Sequence, residues 1–315
     1  MLYPNRRQVM QLAALCYLVS ASPTTAQTRP RLLLVHGRSQ GGRSEAELLE
    51  EWTGALREGA RAAGIQLPSD LEIVLPFYGD ALDDVVREFE LPLTSEITTK
   101  GDAFQDEFLV FQEEIVSEIR ASQGITDQQI DEIYGDNPRE RAPWNWEWVQ
   151  AIIKAIDRHT PSVTQGFLET FMRDVFIYLQ SSGARSIIDG IVTERLDARP
   201  TIVVAHSLGT VVMYNILRNT SVLNVPLFVT LGSPLGIRAI RRRFRPLRYP
   251  ANVGPWINAF DERDVVALNP LDQKSFPVTP QISNINNIDN QTDNRHGIIG
   301  YLDKPEVTQP ILSVL

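Results

Sequence analysis

The chain has 315 residues, of which 43% are hydrophobic and 22% are charged, close to the composition of an ordinary soluble globular protein. Its formal net charge of -9 disfavours a nucleic-acid-binding protein, because such proteins usually present a basic surface. The single cysteine, Cys16, excludes a disulfide within the chain and argues against a cysteine-ligated metal site or a catalytic thiol.

The first 26 residues have the composition of an export signal. Arg6 and Arg7 give a positively charged start, a mostly apolar stretch covers residues 9–20, and small residues precede Gln27. This order is that of a signal peptide, and the paired arginines resemble a twin-arginine signal. We therefore expect an exported protein, periplasmic or secreted, whose residues 27–315 form a single domain. The alternative is a cytoplasmic protein, and no other apolar run approaches the roughly 20 residues of a membrane span.

Five short apolar runs predict the strands of a mostly parallel sheet. The first, "RLLLVHG", is continuously apolar rather than alternating, as in a strand buried on both faces. A helical pattern at residues 45–63 follows it, and strands separated by helices imply parallel βαβ crossovers. The predicted strands cover residues 31–37, 71–79, 201–207, 225–233 and 255–261.

A long helical region interrupts this alternation. We interpret about residues 80–183 as a helical insertion, and the predicted helix at 184–196 as part of the sheet framework. The other predicted helices cover residues 102–122, 127–134, 144–159 and 162–180. Aromatic residues of the insertion are interpreted as a lid over an apolar acyl pocket, the alternative being an ordinary core: Phe104, Phe108, Phe111, Trp144, Trp146, Trp148, Phe167 and Phe171.

The segment "TIVVAHSLGTVVMYNIL" places Ser207 between a predicted strand and a predicted helix. Small residues, Ala205 and Gly209, stand two positions before and after the serine, as a tight turn requires. Here the chain resembles the α/β-hydrolase family, whose nucleophile elbow is G-x-S-x-G, although Ala205 replaces the first glycine. The resemblance implies an α/β-hydrolase fold, with a mostly parallel central sheet flanked by helices, and Ser207 as the nucleophile.

A serine hydroxyl needs a base to become a good nucleophile at neutral pH. In the family that the chain resembles, the acid and then the histidine follow the serine along the chain. Among the four histidines, His36 and His159 precede Ser207, and His206 is expected to point to the opposite face of its strand. His296, in a polar loop ahead of an apolar run, is therefore the predicted base.

The acid that orients the histidine is expected between Ser207 and His296, after a strand. The resemblance favours Asp264, which a small apolar pair follows. Asp261, at the end of the predicted strand, is the alternative, although capping a turn is the more usual role of aspartate there.

Acyl transfer also needs hydrogen-bond donors for the developing oxyanion, each typically worth about 3 kcal/mol of barrier. The resemblance implies the backbone N–H of Leu208 as one donor. The other is expected from the glycine-rich loop "HGRSQGG", where Arg38 is the predicted donor residue. Ser39 and Gln40 of this loop are predicted to contact the substrate, and His36 is expected to be structural.

The sequence as a whole predicts a serine hydrolase that cleaves the carboxylic ester of a small molecule or a lipid-like compound. The alternatives are a thioesterase, amidase or acyltransferase that uses the same triad, or a non-catalytic binding protein on a hydrolase scaffold. No histidine pair has H-E-x-x-H spacing, and the glycine-rich loop lacks the G-x-G-x-x-G spacing of a dinucleotide site. Neither a metal nor a cofactor is therefore predicted.

Overall fold

A computed structural model describes residues 30–97, 102–135, 145–161 and 163–315. The predicted export signal, residues 1–26, and Trp144 lie outside the described residues. The described chain forms an α/β structure with a parallel six-stranded sheet and helices on both faces. Its strands are β1 (Arg31–Val35), β2 (Ile73–Val74), β3 (Thr201–His206), β4 (Phe228–Leu231), β5 (Trp256–Ala259) and β6 (Ser283–Ile285), in the spatial order β2-β1-β3-β4-β5-β6.

One helix follows each of β1, β3 and β4 and two follow β6, whereas six helices follow one another between β2 and β3. These are α2 (Gly79–Glu88), α3 (Ala103–Ser122), α4 (Asp127–Tyr134), α5 (Trp146–His159), α6 (Gln165–Gln180) and α7 (Ser182–Thr193). The others are α1 (Glu45–Ala62), α8 (Leu208–Asn219), α9 (Arg238–Arg241), α10 (Ile299–Leu302) and α11 (Pro305–Leu312). Among the described residues, no helix is both long enough and apolar enough to cross a bilayer.

The strands are continuously apolar because successive side chains enter different cores. Leu32 and Leu34 of β1 pack in the cluster that contains α1, α10 and α11. Leu33 and Val35 of the same strand pack in the cluster that contains α2 to α9. Side chains alternate between the faces of a strand, so a sheet covered on both faces needs apolar residues at every position.

Helix α1 illustrates how local sequence and packing agree. Ser44 caps its N-terminus in a capping box with Glu47, a feature worth about 1 kcal/mol. Leu48, Trp52 and Leu56 recur every four residues and are almost completely buried against the sheet. The cap therefore stabilises the start of the helix, and the apolar face packs it against the sheet.

The insertion packs as part of the core on its side of the sheet. Phe108, Phe111 and Phe171 are at most 1% exposed and belong to the same cluster as Leu33 of β1. Phe176 of α6 packs against two of them, with its ring centroid 5.1 Å from that of Phe108 and 5.4 Å from that of Phe111. Most of the aromatic residues that the sequence assigns to a lid thus form core contacts.

The parallel strands end at one edge of the sheet and bring their following loops together there. Val35 pairs with Ala205, His206 with Leu231, and Leu231 in turn with Ala259. The loops that follow β1, β3, β4 and β5 therefore converge, as the carboxyl ends of parallel strands do in α/β proteins.

The predicted parallel sheet is confirmed, with two differences in detail. The second predicted strand forms ladder contacts only at Ile73–Val74, and its last residue, Gly79, begins α2. The edge strand Ser283–Ile285 was not predicted, because three partly polar and partly exposed residues carry no apolar pattern.

Candidate active site

Ser207 occupies a sharp turn between β3 and α8. Its backbone has φ 54° and ψ -127°, a left-handed conformation that residues with a side chain rarely adopt. A Cβ at Gly209 would lie 2.4 Å from the carbonyl oxygen of His36, and a Cβ at Gly37 would lie 2.8 Å from the Cβ of Ser207. The turn and the loop after β1 approach so closely that both positions require glycine.

Three side chains from separate segments form a hydrogen-bonded chain at the end of the sheet. His296 Nε2 lies 2.8 Å from Ser207 Oγ, and His296 Nδ1 lies 2.7 Å from Asp264 Oδ2. Because a carboxylate only accepts, Nδ1 carries the proton, and the serine hydroxyl donates to the bare Nε2. This is the geometry that general-base activation of a serine requires.

Asp264 is held in place by donors beyond the histidine. Its Oδ1 accepts from the backbone N–H of Val266 at 2.9 Å and, less closely, of Ala267 at 3.4 Å. Its Oδ2 also accepts from the hydroxyl of Tyr301 at 2.7 Å. Burial, followed by the nearby Asp264 charge, raises the pKa of Tyr301 well above its usual value, so the phenol stays a donor. Sequence reasoning missed Tyr301, since a tyrosine in an apolar helix gives no signal of such a contact.

Asp261, the alternative acid, is engaged elsewhere. Arg263 donates to both of its carboxylate oxygens, at 3.0 and 2.9 Å, and the backbone N–H of Asn290 donates at 2.9 Å. Although burial raises the pKa of Asp261, these hydrogen bonds outweigh it and leave the pKa below its ordinary value. The structure therefore brings Asp264, and not Asp261, to His296, while Asp261 organises the turn after β5.

His206 supports the loop that carries His296. Its Nε2 lies 2.7 Å from the carbonyl oxygen of His296, which can only accept, so Nε2 is the protonated nitrogen. The two imidazole rings lie 4.7 Å apart. Burial first, and the neighbouring His296 second, lower the pKa of His206 well below its usual value. Among the described hydrogen bonds none joins the His206 ring to the Ser207 hydroxyl, and the contact of His206 with His296 was not foreseen.

The two predicted oxyanion donors lie beside Ser207. Leu208 is the first residue of α8, where backbone N–H groups lack partners within the helix and the helix dipole favours negative charge. Among the described residues, neither the N–H of Leu208 nor that of Arg38 has a hydrogen-bond acceptor. An N–H without an acceptor in the folded protein is what an oxyanion donor requires.

The side chain of Arg38 fixes its loop to the insertion. Its Nε donates to Asp174 Oδ2 of α6 at 2.9 Å, and the two side chains are only 12% and 4% exposed. Gln40 Nε2 donates to the Arg38 carbonyl at 3.0 Å, which closes the loop on itself. Ser39, between them, has a φ of 59°.

His36 is a structural residue of the same loop. Its Nε2 accepts from the backbone N–H of Tyr78 at 3.0 Å, so Nδ1 is protonated and donates to the Gly37 carbonyl at 2.7 Å. The Tyr78 hydroxyl donates to the carbonyl oxygen of His36. Burial lowers the pKa of His36 to about 4, so the ring is neutral at physiological pH. These bonds join the end of β1 to the start of α2.

A cleft of about 350 Å³ opens over Ser207 and His296. Leu48 and Trp52 of α1 line it, together with loops on both sides of the serine and Phe167 of α6. The predicted substrate-contact residues Ser39 and Gln40 also line it, as does Arg38.

Among the described residues, no group of three or more histidine, cysteine, aspartate or glutamate side chains is arranged to hold a metal ion. A comparison of the chain with known protein families found no matching family, and a comparison with curated proteins found no matching protein.

Proposed function

We propose that this protein is a serine hydrolase of the α/β-hydrolase type that cleaves carboxylic esters. The observation that carries the proposal is the Ser207–His296–Asp264 chain of hydrogen bonds, at 2.8 and 2.7 Å, at the end of a parallel sheet. The strained backbone of Ser207 and the two unoccupied N–H groups beside it support the same function. Ser207, Asp264 and His296 are the proposed catalytic residues.

In the proposed reaction, the Ser207 hydroxyl gives its proton to His296 Nε2 as Oγ bonds to the ester carbonyl carbon. The carbonyl oxygen becomes an oxyanion, to which the N–H groups of Leu208 and Arg38 donate. The tetrahedral intermediate expels the alcohol, which takes the proton from His296, and an acyl group stays on Oγ. Water then repeats the sequence on the acyl-enzyme and releases the carboxylic acid.

A thioester, amide or acyl-transfer reaction would use the same groups and differs only in the leaving group or the acceptor. Because the cleft is open to solvent, water can reach the acyl-enzyme, which favours hydrolysis over acyl transfer to another acceptor.

The first experiment is labelling of the purified protein with a fluorophosphonate probe, which bonds to activated serines. We expect labelling of the parent, none in Ser207→Ala, and a decrease of about 10³-fold or more in His296→Ala. Ser275→Ala, a buried serine away from the cleft, and His159→Ala, an exposed histidine, are matched controls that should label normally. A folded parent that does not label would refute the proposed function and favour a binding protein.

A further inference from the structure

Most of the described aromatic side chains of the insertion pack in the core and do not face the cleft. Phe108, Phe111 and Phe171 are buried among other core residues, and Phe104 packs against Phe89 and Phe176, with ring centroids at 5.6 and 5.1 Å. A site for a long acyl chain needs apolar side chains that face the substrate. Of the insertion residues that the structure describes, Phe167 alone lines the cleft.

The cleft is also small and has a fixed floor. Its volume of about 350 Å³ is at the lower end of the range of ligand pockets, roughly 300–1,000 Å³. Leu48 and Trp52 are each 1% exposed and belong to the core between α1 and the sheet, so they cannot move aside without unpacking it. Arg43 and Glu51, an ion pair, line the cleft as well and disfavour a long apolar chain there.

Phe167 borders one particular part of the cleft. Its ring lies edge-on to that of His296, with centroids 5.8 Å apart and an interplanar angle of 64°. In the proposed reaction His296 gives its proton to the departing alcohol, so the alcohol must lie beside His296. Phe167 therefore stands next to the alcohol portion of a bound ester.

We infer that the substrate is a compact, water-soluble ester with a short acyl group and a small alcohol, and that Phe167 limits the size of the alcohol. This inference rests on the proposed ester hydrolysis. Phe167 contributes specificity by position: its ring fills the space that a longer alcohol would occupy, while the buried floor limits the acyl group.

The test measures kcat/KM on two series of esters, below their micelle concentrations. The acyl series is p-nitrophenyl acetate, butanoate and decanoate. The alcohol series is methyl, butyl and octyl butanoate, and its hydrolysis is measured by the release of acid. In the parent we expect butanoate to exceed decanoate, and methyl to exceed octyl, by about tenfold or more. In Phe167→Ala we expect the octyl-to-methyl ratio to rise about tenfold, with the acyl preference unchanged.

Phe104→Ala is the matched control, because it removes a half-buried phenylalanine of the same insertion that does not line the cleft. It should leave both ratios unchanged. A parent that prefers decanoate or octyl esters, or that labels with fluorophosphonate yet hydrolyses no short ester, overturns the inference and leaves the activated serine standing. An unchanged alcohol ratio in Phe167→Ala refutes the role of Phe167, whereas absence of labelling refutes the proposed function itself.

Discussion

Removal of the carboxylate of Asp174 tests how strongly the insertion holds the loop after β1. In Asp174→Ala the guanidinium of Arg38, only 12% exposed, loses its hydrogen-bonded partner and stays largely out of water. Breaking a buried ion pair by removing one partner costs about 3–5 kcal/mol. Because Arg38 keeps some contact with solvent, we expect the free energy of unfolding to decrease by about 3 kcal/mol.

Urea unfolding followed by tryptophan fluorescence measures this difference, and Glu58→Ala supplies the control. Glu58 pairs with Arg61 on the surface, where both side chains are more than half exposed, so its loss should cost under about 0.5 kcal/mol. Replacing both buried partners, Arg38→Met with Asp174→Leu, should recover much of the stability because no charge is left unpaired. The reasoning is refuted if Asp174→Ala lowers the free energy of unfolding by less than about 1 kcal/mol. It is also refuted if the double variant is no more stable than Asp174→Ala.

Three further predictions concern the groups around the site. Asp264→Asn should lower kcat by about 10³–10⁴-fold, because the amide no longer fixes the histidine tautomer. Asp261→Asn should lower thermal stability but leave the labelling of Ser207 unchanged. The reverse result would exchange the roles of the two aspartates. Tyr301→Phe should lower kcat/KM about tenfold at unchanged fold, since Asp264 loses one donor, and an unaltered rate would show that this hydroxyl is dispensable. Burial lowers the pKa of His36 to about 4, below the unfolded value of 6.5, so its contribution to stability is complete above pH 6.5. That contribution falls by about 3 kcal/mol towards pH 4. The urea midpoint of His36→Gln should therefore depend less on pH across this range than that of the parent. An equal pH dependence in the two proteins would contradict the lowered pKa of His36.

The sequence predicted the central strands and Ser207 because both leave strong local patterns, whereas His296 followed from elimination among the four histidines and Asp264 from the family resemblance. A buried parallel strand is a continuous apolar run, and a turn as tight as that at Ser207 demands small neighbours such as Gly209. The sequence favoured Asp264 over Asp261, and in the structure Asp264 is the one within hydrogen-bond distance of His296.

The supporting contacts could not be predicted, because they join residues far apart in the chain. Tyr301 and His206 look like ordinary residues of a helix and a strand, and their contacts with Asp264 and His296 arise only when the layers assemble. For the same reason, helical periodicity identified the phenylalanines of the insertion as apolar but did not tell a core from a lid. Phe167 is set apart from the other phenylalanines by its contact with His296 and its position at the cleft, neither of which the sequence shows.

The sheet has a separate core on each face, and the candidate site takes its parts from both. Tyr301, which contacts Asp264, packs with α1 and α11, whereas Arg38 is tied to α6 on the opposite side. A slip of either helical layer by about 1 Å would separate the reacting groups while both cores stay folded. The reactivity of Ser207 therefore depends on how the two helical layers are aligned. On heating, we expect this reactivity to be lost at a lower temperature than the helices unfold.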